Sequence, residues 1–216
     1  MIEGKEFTMK KQILIALLLM VLAFSAAGCG NAQSKESEPE DMQIVKKTPT
    51  EGEKDLMDMA GLSTDTTTGL LQYNADKSVK SAELKIVEYS SKTGKWKEIY
   101  GSVQSRAGKN GRLMVIYYNE GAEVRVSMSD GKGALTSGER SLSKISGEGG
   151  ITYADLQEAV PIELNKDIPV YMTAEGKKDE DSFRSIDLED YQNVQKLKEY
   201  EKVRVVVVKF LDKAID

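Results

Sequence analysis

The sequence predicts a mainly β fold, an antiparallel sandwich or partly open barrel with one or two short helices near the C-terminal end. Three observations predict it. Strand-length runs of apolar and polar residues recur from about residue 61 onward. Glycine-containing turn sequences separate them. Near the end, Val205-Val206-Val207-Val208 is apolar on both strand faces, a run that only a strand paired and covered on both sides tolerates.

The elements follow in chain order. Ala82-Glu83-Leu84-Lys85-Ile86 alternates apolar and charged residues and reads as a strand. Ser91-Lys92-Thr93-Gly94 reads as a turn, and Trp96 to Val103 as the next strand, with Trp96, Glu98 and Tyr100 on one face by alternation. Asn110-Gly111 is a hairpin signal, since both residue types tolerate positive φ. Leu113 to Tyr118 is apolar on both faces and predicts a central strand. Glu120-Gly121 turns into Glu123 to Met128, which alternates, and Asp130-Gly131 turns again. The segment from Gly131 to Gly150 is Gly- and Ser-rich and carries no clear element. Thr152 with Asp155 matches the cap of a short helix. Val160 to Leu164 and Ile168 to Met172 read as strands, and Pro161 and Pro169 assign them to an edge or a bulge. Asp187 is placed to cap a helix from Leu188 to about Tyr200, and Val203 to Phe210 closes the chain as a strand.

The N-terminal part has a different character. Met9-Lys10-Lys11 is a positive segment, Ile13 to Phe24 is a twelve-residue apolar run, and Ser25-Ala26-Ala27-Gly28 leads into Cys29, the sole cysteine. The run has the length of a secretory signal core and is too short to span a bilayer, which takes about 20 residues. This order resembles bacterial lipoprotein precursors. The resemblance implies that residues 1–28 are a leader, with Met9 as the preferred true start. It implies cleavage before Cys29 and a diacylglyceryl group on the Cys29 sulfur. The chain would then be a lipid-anchored protein on the extracytoplasmic face of the cell membrane. Two or three acyl chains on one residue hold a protein firmly, where one binds reversibly.

Residues 29–60 read as an acidic tether, with eight acids against four lysines. Such a tether would repel an anionic membrane surface and hold the domain off it. Glu53 to Ala60 has the composition of a short helix. Residues 61–216 read as the β-rich domain.

Composition excludes several chemistries. Thirty-five acids against 30 bases argue against nucleic acid as a partner, because phosphate binding needs a concentrated positive surface. The chain has no histidine, so the usual general base and commonest metal ligand are missing. No cofactor motif occurs, and no cofactor or metal is expected. Ser141-Leu142-Ser143-Lys144 matches SxxK and Lys92-Thr93-Gly94 matches KTG, but the two come in the reverse of the order that penicillin-binding serine enzymes use. Paired carboxylates could serve a glycosidase, yet no acid stands in a recognisable context. Asp179-Glu180-Asp181 lacks the spacing of a calcium loop and has Lys177 and Lys178 beside it.

Two features remain as binding candidates. Arg106, Lys109 and Arg112 cluster around the Asn110 turn, with Lys92, Lys95 and Lys97 at the preceding one. If those tips lie together they form a basic patch for an anionic polymer or lipid headgroup. Trp96 is the sole tryptophan, either a core anchor or an exposed stacking surface. The functional expectation is a membrane-anchored, non-enzymatic module that binds an envelope component or a protein. The alternatives are a small envelope-modifying hydrolase using Ser141 with Lys144, or Asp/Glu, and a solute-binding component of a transporter.

Overall fold

Tyr200–Leu211 is apolar on both faces because both are covered. Val206, Val208 and Phe210 point into one apolar cluster, and Val203, Val205 and Val207 point into another. The strand is paired on both sides, as the valine run demands. The computed structural model describes residues 40–59, 62, 68–107, 109–118, 123–130, 132, 135–141, 150–177 and 185–214. The Cys29 anchor and the Asp179-Glu180-Asp181 segment lie outside them.

Among the described residues the strands are β1 (Gln43–Lys46), β2 (Thr68–Asn74), β3 (Ser81–Ser90), β4 (Lys95–Arg106), β5 (Asn110–Tyr118), β6 (Glu123–Ser129), β7 (Leu135–Ser141), β8 (Ile151–Asp155), β9 (Val160–Pro161), β10 (Asp167–Gly176) and β11 (Tyr200–Leu211). They form two antiparallel sheets, in the orders β7-β6-β5-β2-β1-β9 and β4-β3-β11-β10-β8. This is the expected β-sandwich. Along one side β4 of the second sheet runs close to β7 of the first. On the opposite side Lys46 of β1 reaches Asp155 of β8 at 2.6 Å.

The main core lies between the sheets. Leu71 and Tyr73 from β2, Leu113, Val115 and Tyr117 from β5, and Val124, Val126 and Met128 from β6 meet Leu84, Ile86, Val206 and Val208 from the second sheet. The second core lies on the outer face of the β3-β11-β10 sheet. It is covered by a 3-10 helix (Leu188–Gln192) and a single α turn (Val194–Leu197), through Ile186, Leu188, Tyr191 and Leu197. These are the expected short C-terminal helices, though not one continuous helix. Asn193 interrupts with a non-helical backbone, and its side chain restarts the next turn by accepting from Lys196 N at 3.2 Å.

Three other expectations change. Thr152 and Asp155 lie in β8, where pairing with β10 overrides the local capping pattern. Asn110 and Gly111 begin β5, and neither has positive φ; the turn lies before them. Described residues before residue 61 also belong to the folded domain. Gln43–Lys46 pairs with β2 along its length, burying Ile44, and Glu51–Met59 forms helix α1. Four of the eight acids assigned to the tether, Glu51, Glu53, Asp55 and Asp58, therefore belong to α1.

The sandwich has two ends. The near end is where the chain comes in, with Gln43, Asn74, Asn110 and Ser129 in register, together with Ser81 and Arg106. At the far end lie Tyr118, Glu123, Ser90 and Lys202.

Candidate functional site

The near end carries an open pocket of about 490 Å³. Its apolar floor is Ala75, Val79 and Ala107, and its charged rim is Lys77, Lys109 and Lys132 with Asp41 and Asp76. The three lysines come from three different connections, β2–β3, β4–β5 and β6–β7. Local hydrogen bonds hold the backbone at each: around Lys77, Val79 N donates to the Asp76 carbonyl at 3.3 Å. Ala75 N donates to the Lys109 carbonyl at 2.6 Å, tying the first two connections together. Ala107 N donates to the Lys80 carbonyl at 3.3 Å. Lys132 N donates to the Asp130 carboxylate at 2.7 Å, an Asx-type turn.

The acids of the rim are already engaged. Asp41 Oδ1 accepts from Asn74 Nδ2 at 3.0 Å. Asp76 Oδ1 accepts from Ser78 N at 2.8 Å and from the Ser78 hydroxyl. The hydroxyl, then the amide, hold the Asp76 carboxyl below its usual range, so it stays ionised near neutrality. By contrast, the ammonium groups of Lys77, Lys109 and Lys132 make no ion pair among the described residues. An ammonium offers three donors and accepts nothing. Three of them over an apolar floor suit an anionic group with a small carbon skeleton.

Of the basic cluster expected from sequence, only Lys109 is shown in this pocket. Arg106 is the last residue of β4, one position before Ala107, and its side chain lies outside the described residues. Arg112 points to the outer face of β5, where its Nη1 meets Glu53 Oε1 at 2.8 Å. The two turns do not lie together. Lys92, Lys95 and Lys97 sit at the far end, separated from Lys109 by the length of β4, roughly 35 Å at the usual strand rise. Lys92 there pairs with Glu201 at 2.7 Å.

Trp96 is also at the far end. It is half-buried, 5.5 Å from Tyr89 and 5.2 Å from Tyr191 between ring centroids, within the second core. Irregular register between β3 and β4 separates it from Tyr100, which packs against the main core instead. Ser141 ends β7, but its side chain and Lys144 lie outside the described residues. Among the described residues no group of three His, Cys, Asp or Glu could hold a metal ion. No helix among them is long and apolar enough to cross a membrane.

No family model, curated protein or solved structure matches the chain.

Lys77 and Lys132 were not singled out from sequence. Asp76-Lys77-Ser78 and Asp130-Gly131-Lys132 each place a lysine one or two residues after a turn-forming Asp. That is a signal for a held lysine, though not for what it faces.

Glu53 ties α1 to the first sheet through Lys47 and Arg112. Thr50 N and Thr50 Oγ1 donate to Glu53 Oε2 at 2.9 and 3.0 Å, and Glu53 N donates to Thr50 Oγ1 at 3.3 Å, forming a capping box. Lys47 Nζ reaches the same carboxylate at 2.6 Å. Burial alone would raise the Glu53 carboxyl. Hydrogen bonds from Lys47 and from Thr50 outweigh it and bring it down to about 2. A depressed carboxyl stabilises the folded state above its unfolded value near 4.5, and this is lost as pH falls toward about 2. Glu53→Gln is expected to cost about 1 kcal/mol at neutral pH, after allowance for solvent screening. Urea midpoints of the two proteins should converge as pH drops through that window. A constant difference down to the lowest pH would show that the carboxylate charge is not what holds α1.

Proposed function

We propose that this chain is a lipid-anchored extracytoplasmic binding module, held in the cell membrane through Cys29, whose near-end pocket recognises an anionic group of an envelope component. The leader pattern ending at Cys29 supports the anchor. The observation that carries the binding reading is the set of three exposed lysines lining one pocket over an apolar floor, none of them in an ion pair among the described residues.

The pocket suits binding rather than turnover. Its described lining has no hydroxyl or thiol nucleophile, and Asp76, held ionised by Ser78, is a poor proton donor near neutral pH. Envelope components rich in phosphate or carboxylate match the charge of the rim, whereas nucleic acid would face a chain of net charge −5.

The anchor is tested by feeding a labelled fatty acid to cells that express the full chain. The label is expected on the wild-type protein in the membrane fraction. Cys29→Ser should carry no label and leave that fraction. Label retained by Cys29→Ser, or absent from wild type, would defeat the anchor.

A further inference from the structure

The chain joins the domain at the pocket itself. Asp41 belongs to the rim, and the next residue is pinned in place: the Met42 carbonyl accepts from Ile162 N at 2.7 Å, and Asp76 N lies 3.4 Å from the Met42 sulfur. From Cys29 to Glu40 there are eleven residue steps. Covalent geometry limits that stretch to about 40 Å however it is arranged. Whatever holds Cys29 therefore keeps the pocket within that reach, while the far end lies a strand length further away.

Resting on the anchor proposed above, we infer that the lysine pocket takes the phosphodiester of an anionic phospholipid with a hydroxyl-bearing headgroup, in the same membrane that carries the anchor. The domain then sits with its near end down on the bilayer. Chemistry and placement agree on this occupant. Lysine binds phosphate as a point charge with several donors, and Lys77, Lys109 and Lys132 all line one opening. Asp41 and Asp76 add acceptor oxygens at the rim, suited to headgroup hydroxyls. The pocket is open rather than enclosed, so a headgroup can enter while its acyl chains stay in the bilayer. Tethering presents that surface at an effective concentration of about millimolar, so a weak site is enough.

The charge between anchor and pocket opposes this only in part. Glu36, Glu38, Glu40 and Asp41 against Lys35 leave a net −3 there, less than the −4 of residues 29–60 as a whole. The three lysines all line the opening beside which the chain enters the domain.

The test uses the lipid-free chain from Gly30 to Asp216, which contains every described element and both cores. It is mixed with phosphatidylcholine vesicles made with or without phosphatidylglycerol, and binding is read by co-sedimentation. Binding is expected only with phosphatidylglycerol, and it should weaken as salt is raised. Each basic residue near an anionic surface contributes about fivefold, so Lys77→Gln with Lys109→Gln and Lys132→Gln should reduce partitioning on the order of 100-fold. The far-end triple Lys92→Gln, Lys95→Gln and Lys97→Gln should leave it unchanged. All six lysines are exposed, and a melting curve checks that each variant folds. No preference for phosphatidylglycerol overturns the inference, and so does equal loss in the two triples. Binding of free glycerol phosphate with no gain from vesicles also overturns it, pointing to a soluble anion instead. Because this chain carries no lipid, its failure leaves the Cys29 anchor standing. Failure of the anchor shows in the fatty-acid labelling instead.

Discussion

Arg204→Ala is expected to destabilise the domain by about 3–5 kcal/mol, the usual cost of removing one partner from a buried ion pair. Arg204 is 1% exposed and its Nε donates to Glu88 Oε2 at 2.8 Å, directly across the β11–β3 pairing. Both residues lie on the inner face of the sheet, between Val206 and the far-end opening. Thr173, 2% exposed, faces Arg204 from β10, and its Oγ1 has no hydrogen-bond partner among the described residues. The Tyr117 hydroxyl is in the same position, and burial pushes that phenol well up. Alanine at 204 would strip Glu88 of this buried cation, leaving it the exposed Lys97 opposite it on β4, and would leave a cavity as well. The informative comparison is Arg204→Met combined with Glu88→Leu. Removing both charges while keeping the volume is expected to be near neutral or stabilising. Denaturant midpoints of the single and double variants decide the matter. A double variant as unstable as Arg204→Ala would mean that the arginine is held by more than its pairing with Glu88.

The placement of that pair also shows what the sequence makes legible. Strands β3, β5, β6 and β11 announce themselves because each satisfies two requirements at once, β-forming residues and a period matching burial on one or both faces. Val205 to Val208 predicts two-sided pairing for a reason that is independent of which strands supply it. The helix after Asp187 was readable at its start, where Asp187 N donates to the Asp190 carboxylate at 3.1 Å, but not in its length. The backbone leaves the helical region at Asn193, with φ −85° and ψ 83°, and no apolar pattern marks that break. β8 was hidden because Thr152 and Asp155 suit a helix cap as well as a strand, and only the distant β10 decides between them. The candidate site was the least legible part. Arg106, Lys109 and Arg112 are neighbours in sequence, yet alternation sends Arg112 to the outer face and to Glu53. The lysines that do gather come from residues 77, 109 and 132, and only the strand register brings them to one end.

Gly111 is where that register is most sensitive, and Gly111→Ala is expected to cost about 2–4 kcal/mol. The glycine is not needed for an unusual φ, since its backbone is ordinary strand. It is needed because Tyr73, its partner on β2, lies across it. A methyl at position 111 would fall well inside contact with the Tyr73 ring and hydroxyl, and with the Ser129 carbonyl oxygen on β6. Tyr73 is fully buried and packs edge-on against Phe210 at 5.0 Å, so the ring has nowhere to swing. Ser129 is the register partner of Arg112, so its carbonyl cannot retreat without loosening the end of the β5–β6 pairing. For a domain of this size the loss amounts to roughly 5–15 °C in Tm. Gly52→Ala is the matched control. It lies near the start of α1 with nothing within 4 Å of the added methyl, so the same substitution should stabilise by about 0.5–1 kcal/mol through helix propensity. Opposite signs at the two glycines would establish close approach, rather than lost chain flexibility, as the reason for Gly111. A Gly111→Ala protein that melts with wild type would mean that Tyr73 has a second rotamer open to it, and that the near end is less tightly packed than its buried ring implies.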